Sequence, residues 1–167
     1  MNLRTRFAIA LLALLPGLGA LASEPIVAGS IQPDPAELER GRYLVRVAGC
    51  NDCHTAGYAE SGGDISEERW LLGNSTGHEG TWGTSFPSNL RLTLLRFNDE
   101  QWLQYVDQLT AKPPMPWFDL RAMNDADLLA LLRYVQWLGP KGEPAPPSLA
   151  PGEPYIGPMV RYTATAD

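Results

Sequence analysis

The sequence has little cysteine, little basic charge and no apolar run long enough to span a membrane. Its two cysteines, Cys50 and Cys53, are separated by only two residues, so a bridge between them would constrain little of the unfolded chain. Lys and Arg number 13 against 19 Asp and Glu, and the formal charge of −6 disfavours nucleic acid as a partner. The chain does have 44% hydrophobic residues, which is enough for the core of one globular domain.

The N-terminus has the pattern of a secretory signal peptide. Arg4 and Arg6 give a basic start, residues 7–15 are apolar, and Ala20-Leu21-Ala22 is typical of a cleavage site. An uncleaved membrane anchor is the alternative, but the apolar run is shorter than the ~20 residues that span a bilayer. The pattern predicts a signal peptide over residues 1–22 and a secreted mature chain without a transmembrane span.

Three segments carry the apolar spacing of helices, and each begins with a capping residue. The predicted helices cover residues 35–48, 99–109 and 125–138. Their N-caps are Asp34, Asn98 and Asn124. The third helix has the most regular apolar face and is ended by Gly139-Pro140.

The remaining segments lack such periodicity. Residues 55–97 are rich in glycine and predict mostly loop with short extended or helical pieces, and so long a loop in one domain suggests that it wraps something. Residues 140–167 are rich in proline and predict an extended tail. With a lead segment over 23–33, this leaves a single domain over 34–139.

The chemistry is concentrated at Cys50, Cys53 and His54, which form a C-x-x-C-H sequence. This is the attachment sequence of c-type haem, in which each cysteine sulfur adds to one vinyl group of the porphyrin. The histidine that follows then becomes an axial ligand of the iron. The sequence therefore predicts one covalently attached haem c, with the long loop as the wall of its pocket.

Two other interpretations of the cysteine pair fit less well. A thioredoxin-like redox motif needs a strand before it and a helix after it, whereas here a helix leads in and a glycine-rich segment follows. A structural zinc site needs four ligands, and the next candidate, His78, is far along the chain.

Four side chains are candidates for the opposite side of the iron. Met115 is favoured because the prolines of Pro113-Pro114-Met115-Pro116 make a stiff extended segment that can aim one side chain. Met159 lies in the proline-rich tail, and packing beside the third helix accounts for Met123. His78 sits between glycines in a polar segment, where a solvated histidine is expected, although bis-histidine ligation stays an alternative.

These motifs together resemble the class I mono-haem cytochrome c family, in particular small periplasmic cytochromes and cytochrome subunits associated with bacterial dehydrogenases. The resemblance is carried by GRYLVRVAGCNDCHT (41–55), PPMPW (113–117) and MNDADLLALLRYVQWLG (123–139), with TWGTSFPSNLRL (81–92) as the segment beside the haem. It implies an all-α fold in which the first and last helices cross at Gly41. It also implies His54 and Met115 as the two axial ligands.

The same resemblance implies a function. With both axial positions filled, the protein is expected to be a periplasmic one-electron carrier, and not an enzyme, that takes electrons from a dehydrogenase or cytochrome and passes them to a respiratory acceptor. A haem sensor or peroxidase with a displaceable sixth ligand, and a permanent subunit of a dehydrogenase complex, are the alternatives.

The sequence departs from the family in one respect, because no Gly-Pro follows the haem motif. The backbone carbonyl that accepts the N–H of His54 is therefore not identified by the sequence. Trp82, Asn89, Arg91 and Trp117 are possible partners of the haem propionates or parts of the pocket wall.

Overall fold

A computed structural model describes residues 33–163. The predicted signal peptide (1–22), all of the predicted lead segment (23–33) except its last residue, and the end of the predicted tail lie outside the described residues. Within them, no helix is long and apolar enough to cross a membrane.

The described chain contains six α-helices. The three predicted helices are present with slightly different ends, and three short helices lie between them. The helices are α1 (Pro35–Val47), α2 (Cys50–His54), α3 (Leu90–Thr93), α4 (Asp99–Asp107), α5 (Trp117–Arg121) and α6 (Asp125–Leu138), with 3-10 turns at Glu67–Arg69 and Leu94–Arg96.

The predicted N-caps are confirmed. The side chains of Asp34, Asn98 and Asn124 each accept a hydrogen bond from a backbone N–H in the first turn of their helix. Asn98 and Gln101 also form the reciprocal capping box. These local bonds satisfy N–H groups that have no partner inside the helix, so they fix where each helix begins.

Helices α1 and α6 pack closely, as the resemblance implied. A Cβ atom at Gly41 would overlap the carbonyl oxygen of Ala130 and the Cβ of Tyr134, so only glycine allows this approach. The core continues from this contact to α4 and the loop after α2. Its most buried apolar side chains are Val45, Leu71, Leu94, Trp102, Val106, Leu132, Tyr134 and Val135.

The prediction of an all-α fold is wrong, because the described chain contains a mixed three-stranded sheet. The strands are β1 (Gly77–Gly80), β2 (Gly83–Ser85) and β3 (Met159–Arg161), in the order β2-β1-β3. β1 pairs antiparallel with β2 and parallel with β3. Strands of three or four residues are too short to show alternation in the sequence, which explains why they were not predicted.

The proline-rich segment after α6 is not a free tail. Leu149 forms an antiparallel bridge with Thr84, and β3 adds to the edge of β1. The amide of Asn89 donates to the carbonyl oxygens of Lys141 (2.8 Å) and Glu143 (3.1 Å). The segment therefore runs back across the domain instead of leaving it.

Candidate functional site

One cavity of about 400 Å³ collects the residues that the sequence singled out. Cys50, Cys53 and His54 line it from α2, and Met115 lines it from the segment before α5. The fold thus brings the methionine to the cysteine–histidine motif across a long stretch of chain. The volume falls within the range of small-molecule and cofactor sites.

Both cysteines are free thiols at the cavity wall. Burial raises the pKa of Cys50 to about 11, and burial also raises the pKa of Cys53. A thiol with such a pKa is almost entirely protonated at neutral pH, whereas a disulfide-exchange motif needs a thiolate. The electrostatics of α2 therefore disfavour the thiol-redox interpretation further.

His54 is buried, and its ring is oriented by one hydrogen bond. Its Nδ1 lies 2.7 Å from the carbonyl oxygen of Ser88. A carbonyl only accepts, so Nδ1 carries the proton and Nε2 keeps its lone pair in the neutral ring. Burial lowers the pKa of His54, against the opposing effect of the Ser88 hydrogen bond, which favours this neutral form. Ser88 is thus the acceptor that the sequence did not identify.

The Ser88 carbonyl is held by its neighbours in the chain. The N–H of Leu90 donates to the carbonyl oxygen of Leu71 at 2.9 Å, and Gly73 donates to the carbonyl oxygen of His54 at 2.8 Å. Gly73 has a φ of +81°, and a Cβ there would come 3.0 Å from the carbonyl oxygen of Pro87. The backbone on both sides of Ser88 is therefore clamped against the loop that follows the motif.

Met115 is held differently from the expected extended segment, because the chain turns at Pro113-Pro114. The hydroxyl of Ser85, at the end of β2, donates to the carbonyl oxygen of Pro113 at 2.6 Å. On the other side, the N–H of Trp117 donates to the carbonyl oxygen of Met115 at 2.9 Å, where α5 begins. Met115 is thus fixed between the sheet and a helix.

The rest of the cavity wall is mostly apolar. Apolar side chains from α3, α4, α5, α6 and the adjoining turns line it: Phe86, Leu90, Leu94, Trp102, Leu120, Met123 and Leu131. Lys112 is exposed and is the only lysine or arginine among the lining residues. The cavity therefore offers two free thiols, an imidazole whose Nε2 keeps its lone pair, and a thioether, all within an apolar wall. This set of groups fits a covalently bound haem.

His78 was expected to be solvated, and that expectation is wrong. It lies on β1 with 9% of its surface exposed, and it lines the same cavity as His54. Burial lowers the pKa of His78. The sequence missed this position because burial here comes from strand pairing; the glycines on either side of Thr81-Trp82, which mark a tight hairpin, were the available signal.

The other two methionines also lie in unexpected places. Met123 packs against the core but also lines the cavity, so packing is not its only environment. Met159 belongs to β3 and does not line the cavity. Among the methionines of the described chain, Met115 and Met123 are therefore the two that face the site.

None of the four proposed propionate partners lines the cavity. Arg91 is buried, and its guanidinium donates to the carbonyl oxygens of Leu138 and Gly139 at the end of α6 and to that of Glu68 in the first 3-10 turn. Asn89 caps α3 and binds the segment after α6, while the indole of Trp82 donates to the His78 carbonyl at 3.2 Å. Trp117 opens α5 outside the cavity.

No family model, curated protein or solved structure matches the chain. Within residues 33–163, no three His, Cys, Asp or Glu side chains are grouped as a metal site.

Proposed function

We propose that this chain is a one-electron carrier with one covalently attached haem c. Cys50 and Cys53 tether the haem, and His54 and Met115 are the axial ligands of its iron. The observation that supports this most strongly is that these four side chains line one cavity, although Met115 comes from a distant part of the sequence. Haem in this site supplies a change of one electron between ferrous and ferric iron.

The hydrogen bond of His54 orients its ring for binding iron. Because Nδ1 donates to the Ser88 carbonyl, the ring presents Nε2 as a lone-pair donor and resists rotation. An acceptor on the far nitrogen also makes the ring a more basic ligand. Ser88 therefore acts as the positioning group of His54.

The wall has a separate role. A mostly apolar cavity disfavours the more highly charged ferric state, and a thioether ligand acts in the same direction. Lys112, at the rim, is the one lysine or arginine among the lining residues that could pair with a haem carboxylate. The polar and apolar parts of the site thus support electron transfer in preference to chemistry at an open iron.

Location and partners belong to the same proposal. A secretory signal peptide over residues 1–22 places the carrier in the periplasm, where covalent attachment prevents loss of haem. The acidic chain, with a formal charge of −6, suits brief docking with a partner that has a basic patch. A dehydrogenase or cytochrome donor and a respiratory acceptor are the proposed partners.

The covalent tether is tested first. The full-length gene is expressed with haem-maturation machinery, and the pigment is extracted with acidified acetone. We expect the haem to stay with the protein and the mass to rise by one haem. In a Cys50→Ala/Cys53→Ala variant the pigment is expected to be absent or extractable. Extractable pigment in the unaltered protein would disprove the tether.

The axial ligand is tested by spectroscopy of Met115→Ala. We expect loss of the methionine–iron absorption band near the red edge of the ferric spectrum, and binding of carbon monoxide by the reduced variant. Met159→Ala is the matched control, because Met159 lies outside the cavity, and it should keep the band and refuse carbon monoxide.

Two further variants test the other candidate axial ligands that line the cavity. Met123→Ala and His78→Ala should keep the band if Met115 is the ligand. If one of them loses it while Met115→Ala does not, the assignment of Met115 is wrong. Binding of carbon monoxide by the unaltered reduced protein would instead favour a sensor or peroxidase.

A further inference from the structure

His78 is a second imidazole in the cavity, outside the set of proposed ligands. Its Nδ1 lies 3.0 Å from the hydroxyl oxygen of Tyr162, and the two rings lie 5.9 Å apart at an angle of 31°. Its Nε2 has no hydrogen-bond partner among the described residues. The ring is therefore held by one nitrogen, and His78 lines the cavity.

Tyr162 is itself fixed, although it lies near the end of the described chain. Its N–H donates to the carbonyl oxygen of Glu79 at 2.8 Å, directly after β3. Its ring packs against Trp82, with centroids 5.6 Å apart. The indole of Trp82 donates in turn to the His78 carbonyl at 3.2 Å. The backbone and ring of Tyr162 are thus both attached to the hairpin that carries His78.

We propose that His78 contacts the haem and that Tyr162 is its positioning residue, so that this pair adjusts the reduction potential of the iron. This inference rests on the proposed function. The inference assigns a role to the segment after α6, because β3 in this segment brings Tyr162 next to His78.

The physical basis is electrostatic. Ferric and ferrous iron differ by one unit of charge, so a polar ring at the edge of a mostly apolar cavity stabilises one state more than the other. Tyr162 decides which end of the imidazole dipole faces the haem. If its hydroxyl donates to Nδ1, Nε2 carries the proton; if it accepts from Nδ1, Nε2 presents a lone pair.

The test compares midpoint potentials of the haem-loaded full chain by spectroelectrochemistry. The variants are His78→Phe, Tyr162→Phe and the double variant. We expect His78→Phe to shift the potential and Tyr162→Phe to shift it less. In the double variant, Tyr162→Phe should add nothing, because it acts only through His78. A higher midpoint potential in His78→Phe means that the lone pair of Nε2 faces the haem in the unaltered protein, and a lower potential means that the N–H faces it.

Tyr155→Phe is the matched control. Tyr155 belongs to the same segment, and its hydroxyl donates to the Ser75 carbonyl oxygen at 2.6 Å and not to His78. The midpoint potential of Tyr155→Phe should equal that of the unaltered protein. An unchanged potential in His78→Phe would overturn the inference, and so would an equal effect of Tyr162→Phe with and without His78.

A second measurement needs no substitution. The chain has two histidines, so ¹⁵N-labelled histidine gives two ring systems in the NMR spectrum. We expect the resonances of His78, and not only those of His54, to move strongly between the reduced and oxidised states. Unmoved His78 signals in a protein that carries covalent haem would overturn the inference and leave the proposed function standing. If the protein attaches no haem, the proposed function is disproved before either measurement is made.

Discussion

The two ends of the described chain, α1 and β3, attach to the domain by different forces. α1 buries its apolar face against α6, and Val45 in its last turn is 0% exposed. β3 attaches mainly through backbone pairing with β1, and Val160 in its middle is 43% exposed. The difference shows that the helix crossing supplies stability, whereas the sheet supplies position, because little apolar surface is removed from water there.

The sharpest way to break the helix crossing is Gly41→Leu. The added side chain would overlap the backbone of Ala130 and force α1 away from α6. We expect a loss of about 3 kcal/mol in the free energy of unfolding, measured with denaturant. Val47→Leu enlarges an exposed side chain on the same helix and should stay within about 0.5 kcal/mol of the unaltered protein. Equal midpoints for the two variants would contradict the close contact.

The stability contributed by the helical region and by the sheet region can be compared by removing one tyrosine hydroxyl from each. The hydroxyl of buried Tyr134 donates to Glu67, whereas that of Tyr155, on the sheet side, donates to the Ser75 carbonyl in an exposed contact. We expect Tyr134→Phe to cost about 1 to 2 kcal/mol and Tyr155→Phe less than about 0.5 kcal/mol. Thermal or denaturant unfolding measures both, and the reverse order would mean that the sheet region carries more of the stability.

The sheet is broken locally by Val160→Pro. Val160 lies opposite His78, and proline removes its N–H from the pairing. We expect the Tyr162 amide to exchange its hydrogen about fivefold faster, the effect of losing ~1 kcal/mol, while amides of α6 keep their rates. Val160→Thr keeps the N–H and is the control. Faster exchange throughout α6 would show that the two regions unfold together.

The smallest expected effect comes from an ion pair on the helical side. Arg133 lowers the pKa of Asp99 by hydrogen bonding, with Nη2 and Oδ2 2.6 Å apart. A lowered pKa in the folded state stabilises the fold above the ordinary value of 3.8, and this contribution disappears as the pH falls through the lowered value. The Asp99 side chain is 48% exposed, so we expect Asp99→Asn to cost less than about 1 kcal/mol at pH 7.

The measurement is the difference in unfolding free energy between Asp99→Asn and the unaltered chain from pH 7 to pH 2. This difference should shrink below about pH 4. Glu79→Gln, which removes the more exposed Arg161 pair of the sheet, should have a smaller effect at pH 7. A constant difference across the range would show that the Arg133 pair does not stabilise the fold.

The parts of the fold that were predictable are those with local causes. Asp34, Asn98 and Asn124 mark the starts of helices because a cap and the N–H groups that it satisfies lie within one turn. The sheet escaped prediction because β3 pairs with a strand far away in sequence, and its few residues carry no visible alternation.

The candidate site divides in the same way. Cys50, Cys53 and His54 form a contiguous motif whose chemistry follows from residue type and spacing. The orientation of His54 depends on the Ser88 carbonyl, a backbone group that every residue has, so no side chain in the sequence points to it. Arg91 shows the opposite error, because its charge suggested a partner for the haem propionates, whereas its guanidinium donates to carbonyl oxygens of Glu68, Leu138 and Gly139.

The sequence by itself determined the starts of the main helices, the glycine at their crossing and the cysteine–histidine motif. Each depends on neighbours within a few residues or on a shape that only one residue type allows. The tertiary structure alone decided that His78 faces the same cavity as Met115 and that the chain after α6 returns to hold this histidine. These arrangements depend on pairing and packing between distant segments, whose partners are chosen only when the whole chain folds.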